Sequence, residues 1–165
     1  MSQNLGHMNE QTFKIDMIDR RILACLQRDG SMAQREVAEY VGLSQNACWR
    51  RLQRLRAAGV IKGSHTRLDL AALGLDLSVF VMIKTAHHSD DWIARFAKHV
   101  AGLPQVTDFH RIGGEWDYLI KVTCAGMAGY DAFYRALITG FDLANVTGYF
   151  SMEAMLDSRP VGLSR

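Results

Sequence analysis

Residues 33–59 read AQREVAEYVGLSQNACWRRLQRLRAAG. Two helix-length stretches meet in it at Gly42. In the first, about 33–41, Val37, Ala38 and Val41 recur at helical spacing and face inward. Gly42 supplies a tight turn, Leu43 returns to the core, and Ser44 is an N-cap for a second helix over 45–57, which Gly59 closes. At about 100° per residue, Cys48, Leu52 and Leu55 fall in one narrow stripe. Asn46, Arg50 and Gln53 lie opposite, with Arg54 beside them. Two short helices joined by a glycine turn are the helix-turn-helix pattern, and the second is the recognition helix.

Upstream, Ile15, Ile18, Ile22, Leu23, Cys25 and Leu26 mark a further helix over 15–27, ended by the turn residues Asp29-Gly30-Ser31. Charge separates this region from the rest. Residues 13–63 hold ten Lys/Arg against five Asp/Glu, and residues 64–165 hold nine against eleven. The whole chain is only +2, so the asymmetry, not the total, points to a basic nucleic-acid-binding head on a mildly acidic body.

Within the head, Gln45 and Asn46 stand at the end of the recognition helix that enters the major groove. Arginine pairs with guanine, and Asn or Gln with adenine, through paired hydrogen bonds. Arg51 and Arg56 flank this surface as candidate phosphate ligands. The candidate DNA-contacting set is Arg35, Ser44, Gln45, Asn46, Arg50, Arg51, Gln53 and Arg54. A solvated basic face on an ordinary helix is the plain alternative, and the complete helix–turn–helix unit weighs against it. Trp49 flanks the apolar stripe and is expected to pack against the first helix rather than touch DNA.

Beyond the head, His65–Leu70 reads as a linker or strand. Leu77–Thr85 is a β-branched apolar run, hence a strand. Asp90–Leu103 carries Trp92, Ile93, Phe96, Ala97 and Val100 on one helical face. Val106–Ile112 and Tyr118–Thr123 are strands about the Gly113-Gly114 turn. Met127–Ile138 is a helix with Tyr130, Phe133, Tyr134 and Leu137 aligned, and Val146–Met155 is a last strand. The order β-α-β-β-α-β is ferredoxin-like, with an antiparallel sheet covered by helices on one face. The first strand is apolar on both faces, with Phe80 and Met82 opposite Leu77, Val79, Val81 and Ile83. A second copy is the simplest cover for the open face, which predicts a homodimer. The expected fold class is α+β: an N-terminal winged-type helix-turn-helix followed by a ferredoxin-like ligand-sensing domain. The expected divisions are a mobile segment 1–12, a head 13–63, a linker strand 64–74, a sensing and oligomerisation domain 75–157, and a tail 158–165.

Other features exclude more than they assign. No apolar run reaches the roughly 18–20 residues that span a bilayer, and the first residues lack a signal-peptide core. Gly6-His7-Met8 has the look of a cloning remnant. Cys25, Cys48 and Cys124 have neither metal-ligand spacing nor a disulfide framework, so they read as reduced, buried thiols of a cytoplasmic protein. His87 and His88 are neighbours on an extended segment and point apart, which disfavours two-point metal chelation. Ser89, Asp90 and Asp91 suit an N-cap and first turn.

Ile18-Asp19-Arg20-Arg21-Ile22-Leu23, Leu26-Gln27-Arg28-Asp29-Gly30, Val41-Gly42-Leu43-Ser44, Cys48, Arg50-Arg51-Leu52, Arg54-Leu55, Gly59-Val60-Ile61, Gly114-Glu115-Trp116-Asp117-Tyr118 and Met152-Glu153 together resemble the Lrp/AsnC (feast/famine) family of transcriptional regulators. The likeness runs from about Ile15 to Met155. It implies a regulator of amino-acid metabolism that binds double-stranded DNA at a pseudo-palindromic operator. It implies sheet-paired dimers assembling further, often to octamers, and an amino-acid effector bound between dimers near the Gly114–Asp117 turn. No other cofactor is implied. The candidate effector-binding residues are Gly113, Gly114, Glu115, Trp116, Asp117 and Tyr118. Glycines there expose backbone groups that can hold an amino acid's carboxylate and ammonium. Asp117 either accepts from that ammonium or simply fixes the turn.

Two other classes compete. Cys124, His110, Asp108 and Glu115 could be assembled into an enzyme's nucleophile and base, but no nucleophile-elbow, phosphate-loop or zinc motif surrounds them. A small-molecule- or RNA-binding ferredoxin-like module is the other. RNA binders of this fold place aromatics on the open sheet face, which here is largely aliphatic.

Overall fold

Asp16 and Asp19 begin the first helix by capping each other's backbone. The Asp16 carboxylate accepts from the Asp19 N–H at 2.8 Å, and the Asp19 carboxylate accepts from the Asp16 N–H at 3.1 Å. Two donors that a helix start leaves open are thereby satisfied. In the computed structural model, which describes residues 13–163, this helix is α1 (Met17–Arg28). The expectations for residues 1–12 and for Gly6-His7-Met8 lie outside the described residues.

α2 (Gln34–Val41) stops at Gly42, whose φ of 73° is left-handed and free of strain only for glycine. Two residues later Ser44 Oγ accepts from the Ala47 N–H and opens α3 (Gln45–Ala57). The three helices close on one apolar cluster: Ile22 and Cys25 from α1, Val37, Ala38 and Val41 from α2, Cys48, Leu52 and Leu55 from α3. Leu43, Val60 and Ile61 pack at its margin.

No ladder forms between Ala57 and Leu77. The strand expected over 64–74 is a correction: residues 61–69 join no ladder and 70–74 form a turn, closed by the Leu75 N–H on the Leu70 carbonyl at 2.8 Å. The winged-type expectation is therefore met in its helices but not by a strand-built wing. The physical reason is that a strand needs a partner for its N–H and C=O row, and none of the described residues supplies one.

The second half is β1 (Leu77–Lys84), α4 (Asp90–Ala101), β2 (Val106–Arg111), β3 (Tyr118–Cys124), α5 (Gly126–Ile138) and β4 (Asn145–Phe150). The sheet order is β2-β3-β1-β4, antiparallel throughout, as a ferredoxin-like unit requires. Alternation sets the faces. Val79, Val81 and Ile83 of β1 and Tyr118, Ile120 and Val122 of β3 are buried under Trp92, Phe96 and Val100 of α4 and Phe133 and Leu137 of α5. β4 ends at Phe150 rather than Met155. Beyond it Met152 and Met155 are exposed, because only the Ser151 N–H still reaches the β1 side, at the Ser78 carbonyl. Apolar residues alone extended the expected strand too far.

The chain divides into two compact units. One runs to Arg67 and takes in the chain from Leu156 onward; the other is Leu68–Met155. Within the first, the last described residues lie along α1. Gln27 accepts from the Val161 N–H at 3.1 Å and donates to the Val161 carbonyl, and Arg20 donates to the Leu163 carbonyl at 3.3 Å.

Candidate nucleic-acid interface and effector turn

α3 carries no acidic residue. Its apolar stripe is spent on the head's core, so its other side chains divide between two flanks and an outward line. On the flank toward α1, Arg51 Nη1 reaches Asp16 Oδ2 at 2.6 Å and Asp19 Oδ1 at 2.9 Å, and Arg54 pairs with the other oxygen of Asp19. Asp19 is fully buried. A buried carboxylate needs its lone pairs and charge answered, and both arginines answer them. Asp16 is held below the ordinary carboxylate range, first by the Asp19 N–H and then by Arg51. The same two carboxylates raise Arg51 further above its ordinary value. Arg51 and Arg54, expected to face DNA, are thus tied to α1.

The outward line differs. Gln45, Asn46, Arg50 and Gln53 are exposed, and among the described residues nothing bonds to the side chains of Asn46, Arg50 or Gln53. Gln45 is tied through its backbone, its carbonyl accepting from Gln34 of α2 at 3.3 Å. Ser44 is the N-cap, and exposed Arg35 pairs with Glu39 at 2.9 Å along α2. Trp49 corrects the expectation of packing: it is 49% exposed and lies outside the apolar residues gathered on the head's core.

In the second unit, the chain between β2 and β3 turns through Gly113–Asp117. The Ile112 N–H donates to the Asp117 carbonyl, and the Asp117 N–H to the Ile83 carbonyl, both at 2.9 Å. Asp117 Oδ2 accepts from the Thr85 N–H at 2.8 Å, and Thr85 Oγ1 accepts from the His87 N–H at 3.0 Å. The turn is pinned to the end of β1 by the Asp117 N–H and one of its carboxylate oxygens. Gly114 has φ 115°, a conformation other residues rarely adopt. Gly113, Gly114 and Glu115 are exposed, and Trp116 is half-buried. Tyr118 departs from the expected site. It is buried among Trp92, Phe96 and Phe109, and burial raises its hydroxyl pKa. β-alternation after the turn drives it into the core. An open cavity of about 530 Å³ lies elsewhere, lined by Arg95, Lys98, His99, Gly102, Leu103 and Phe141. None of these belongs to the turn.

The enzyme alternative loses its nucleophile. Cys124 is buried, and burial pushes its thiol pKa up, the reverse of activation. No group of three His, Cys, Asp or Glu placed to hold a metal occurs among the described residues. His87 instead stacks on Trp92 and approaches Asp142 at 3.4 Å. No helix among the described residues is long and apolar enough to cross a membrane.

The Asp16–Asp19–Arg51–Arg54 cluster escaped sequence reasoning. Its signal was present: Asp19 sits three residues before the core residue Ile22, on the apolar stripe, where an acid has no place without cations to meet it.

Comparison with known proteins bears on both surfaces. Residues 15–56 match the AsnC-type helix-turn-helix domain, and residues 78–161 match the Lrp/AsnC ligand binding domain. The glutamate uptake regulatory protein of Zymomonas mobilis is 43% identical over 145 residues, 88% of each chain. The DNA-binding transcriptional activator DecR of Escherichia coli is 44% identical over 84% of this chain and 92% of its own. A crystal structure of an AsnC family transcriptional regulator from Agrobacterium tumefaciens superposes with a TM-score of 0.86 at 38% identity, covering 90% of this chain and 97% of that one. A Neisseria meningitidis transcriptional regulator crystallised as an L-Met complex gives 0.82 at 27%, covering 89% and 97%.

Proposed function

The chain belongs to the Lrp/AsnC family of transcriptional regulators, and from that premise we propose which residues carry its DNA binding and its response to an amino acid. It is a DNA-binding regulator of transcription and not an enzyme. Asn46, Arg50 and Gln53, with Gln45 at the helix start, read base edges in the major groove. The observation that carries this reading is the division of α3. Arg51 and Arg54 are committed to Asp16 and Asp19, while the outward line is polar and exposed, with no bond to the side chains of Asn46, Arg50 or Gln53 among the described residues. Arg51 and Arg54 orient the helix, and Ser44 and Arg35 lie near enough to its start to meet the backbone phosphates.

The effector is an amino acid. Its carboxylate meets backbone N–H groups exposed at Gly113 and Gly114, and its ammonium meets the Asp117 oxygen not bonded to Thr85. Glu115 and Trp116 border the side chain. The L-Met complex of the meningococcal relative supports this class of ligand.

Dimers form across the open sheet face, where Phe80, Met82, Leu119 and Tyr149 share one side. Phe80 and Tyr149 are exposed in the single chain. Further assembly to octamers places effectors between dimers. An effector that binds one assembly better than another shifts the spacing of the heads on a pseudo-palindromic operator. The protein works in the cytoplasm, where its DNA and free amino acids are.

Fluorescence anisotropy on duplex from upstream of its own gene, across a salt series, tests this. Tight, salt-weakened binding that Arg50→Ala reduces is expected, with affinity or assembly altered by at least one amino acid. Binding no better than to random duplex, or indifference to all twenty amino acids in both affinity and size-exclusion profile, would overturn it.

A further inference from the structure

Trp49 is an apolar side chain of the largest kind left half in water on a helix that buries its own apolar stripe. Folding gives no reason for this. Cys48, Leu52 and Leu55 already fill the α3 side of the core, and Trp49 lies outside the apolar residues gathered there.

Its position does give a reason. At about 100° per residue, Trp49 lies on one flank of α3 with Gln45, Gln53 and Arg56, about a quarter turn from the line directly opposite the core. Arg51 and Arg54 occupy the other flank, against α1. The Trp49 flank is the one joined to the start of α2, through Gln34 and the Gln45 carbonyl. In a helix-turn-helix the helix before the recognition helix crosses the sugar–phosphate backbone. A side chain on that flank meets the wall of the groove, not its floor. Long helical side chains also lean toward the helix N-terminus, the end that enters the groove. The surroundings suit an anion: Arg56 on the same flank offers a cation, and α3 has no acid to repel a phosphate.

We propose that Trp49 is a DNA-backbone contact, its ring packed on deoxyribose at the groove wall and its indole N–H donating to a phosphate oxygen. This rests on α3 being the DNA-reading helix. It makes Trp49 a residue of affinity and orientation rather than of sequence choice, because sugar and phosphate are the same at every step. Sequence choice stays with Asn46, Arg50 and Gln53.

The test uses the full-length protein, Trp49→Ala, Trp49→Phe and Arg50→Ala, on the duplex from upstream of its own gene and on a scrambled duplex of equal length and composition. Trp49→Ala is expected to weaken both duplexes by the same factor, about tenfold, the size of one hydrogen bond to a charged group. The slope of affinity against salt should stay as it is, since an indole displaces no counterion. Trp49→Phe should recover part of the loss. Arg50→Ala should instead reduce the preference for the native duplex. Unchanged affinity in Trp49→Ala overturns the proposal. So does a loss confined to the native duplex, which would make Trp49 a base contact. A fall in melting temperature or a changed oligomer in Trp49→Ala would make it a packing residue and equally overturn it. Should the parent protein bind neither duplex at low salt, the DNA reading of α3 fails first, and the Trp49 assignment with it.

Discussion

Arg51 of α3 lies 2.9 Å from the buried carboxylate of Asp19 in α1, and this ion pair, with that of Arg54, ties one flank of α3 to α1. Asp19 has no exposure, whereas Arg51 and Arg54 keep 27% and 46%. The pair is therefore asymmetric. Removing the arginines strands a buried charge, while removing Asp19 leaves cations that water can still solvate.

Arg51→Ala/Arg54→Ala is accordingly expected to destabilise the head by about 3–5 kcal/mol. Asp19→Ala should cost less, about 1.5–3 kcal/mol. Arg50→Ala should leave urea unfolding unchanged while weakening DNA binding. A double arginine variant as stable as the parent would mean that the Asp19 cluster is not what sets α3 on α1.

Acid should loosen the same joint. Asp16 is held below the ordinary carboxylate range by the Asp19 N–H and then by Arg51, so the unfolded chain takes up this proton first, near the ordinary value of about 3.9. The stabilisation is fully present above that value and is lost as pH falls through the lower, folded one. Melting temperature followed against pH should drop more steeply for the parent than for Asp16→Asn in this acid range. Parallel profiles would count against the assignment.

Asp117 holds the turn through the Thr85 N–H on one oxygen, and under the proposed function the effector's ammonium meets the other. Asp117→Asn keeps an acceptor for the Thr85 N–H but has no charge for an ammonium. It should melt within about 1 kcal/mol of the parent yet lose its amino-acid response, whereas Asp117→Ala should lose about 1–3 kcal/mol as well. An Asn variant that still responds normally would leave Asp117 with the turn alone.

Gly148 of β4 lies under Tyr130 of α5. A Cβ there would fall on the Tyr130 hydroxyl and sit 3.1 Å from its Cζ, and Tyr130 is itself packed edge-on against Phe150 at 5.2 Å. Gly148→Ala should cost about 1–3 kcal/mol, and less in a Tyr130→Phe background, where the colliding oxygen is gone. Equal costs in the two backgrounds, read by chemical unfolding, would place the strain elsewhere.

Local signals carried most of the fold. Gly42 and Ser44 marked the turn and the start of α3 because left-handed backbone and an unpaired first turn each demand particular residues. Alternation along β1 placed Val79, Val81 and Ile83 inside and Phe80 outside because the strand period is two. Where the chain had to find a distant partner, the residues were less informative. The apolar Met152 and Met155 suggested a longer β4, but a strand ends where its ladder ends. His65–Leu70 looked extended, and extension without pairing is not a strand.

At the candidate sites the division is the same. The sequence alone determined that α3 is basic, capped and amphipathic, and that glycines open the turn before Asp117, since those are properties of spacing and of single residue types. Only the tertiary structure decided that Arg51 and Arg54 face Asp16 and Asp19 while Trp49 faces water, and that Tyr118 belongs to the core. Helical period says which side chains share a flank, but what that flank meets depends on where α1 and α2 pack, and this is fixed by contacts dozens of residues apart along the chain.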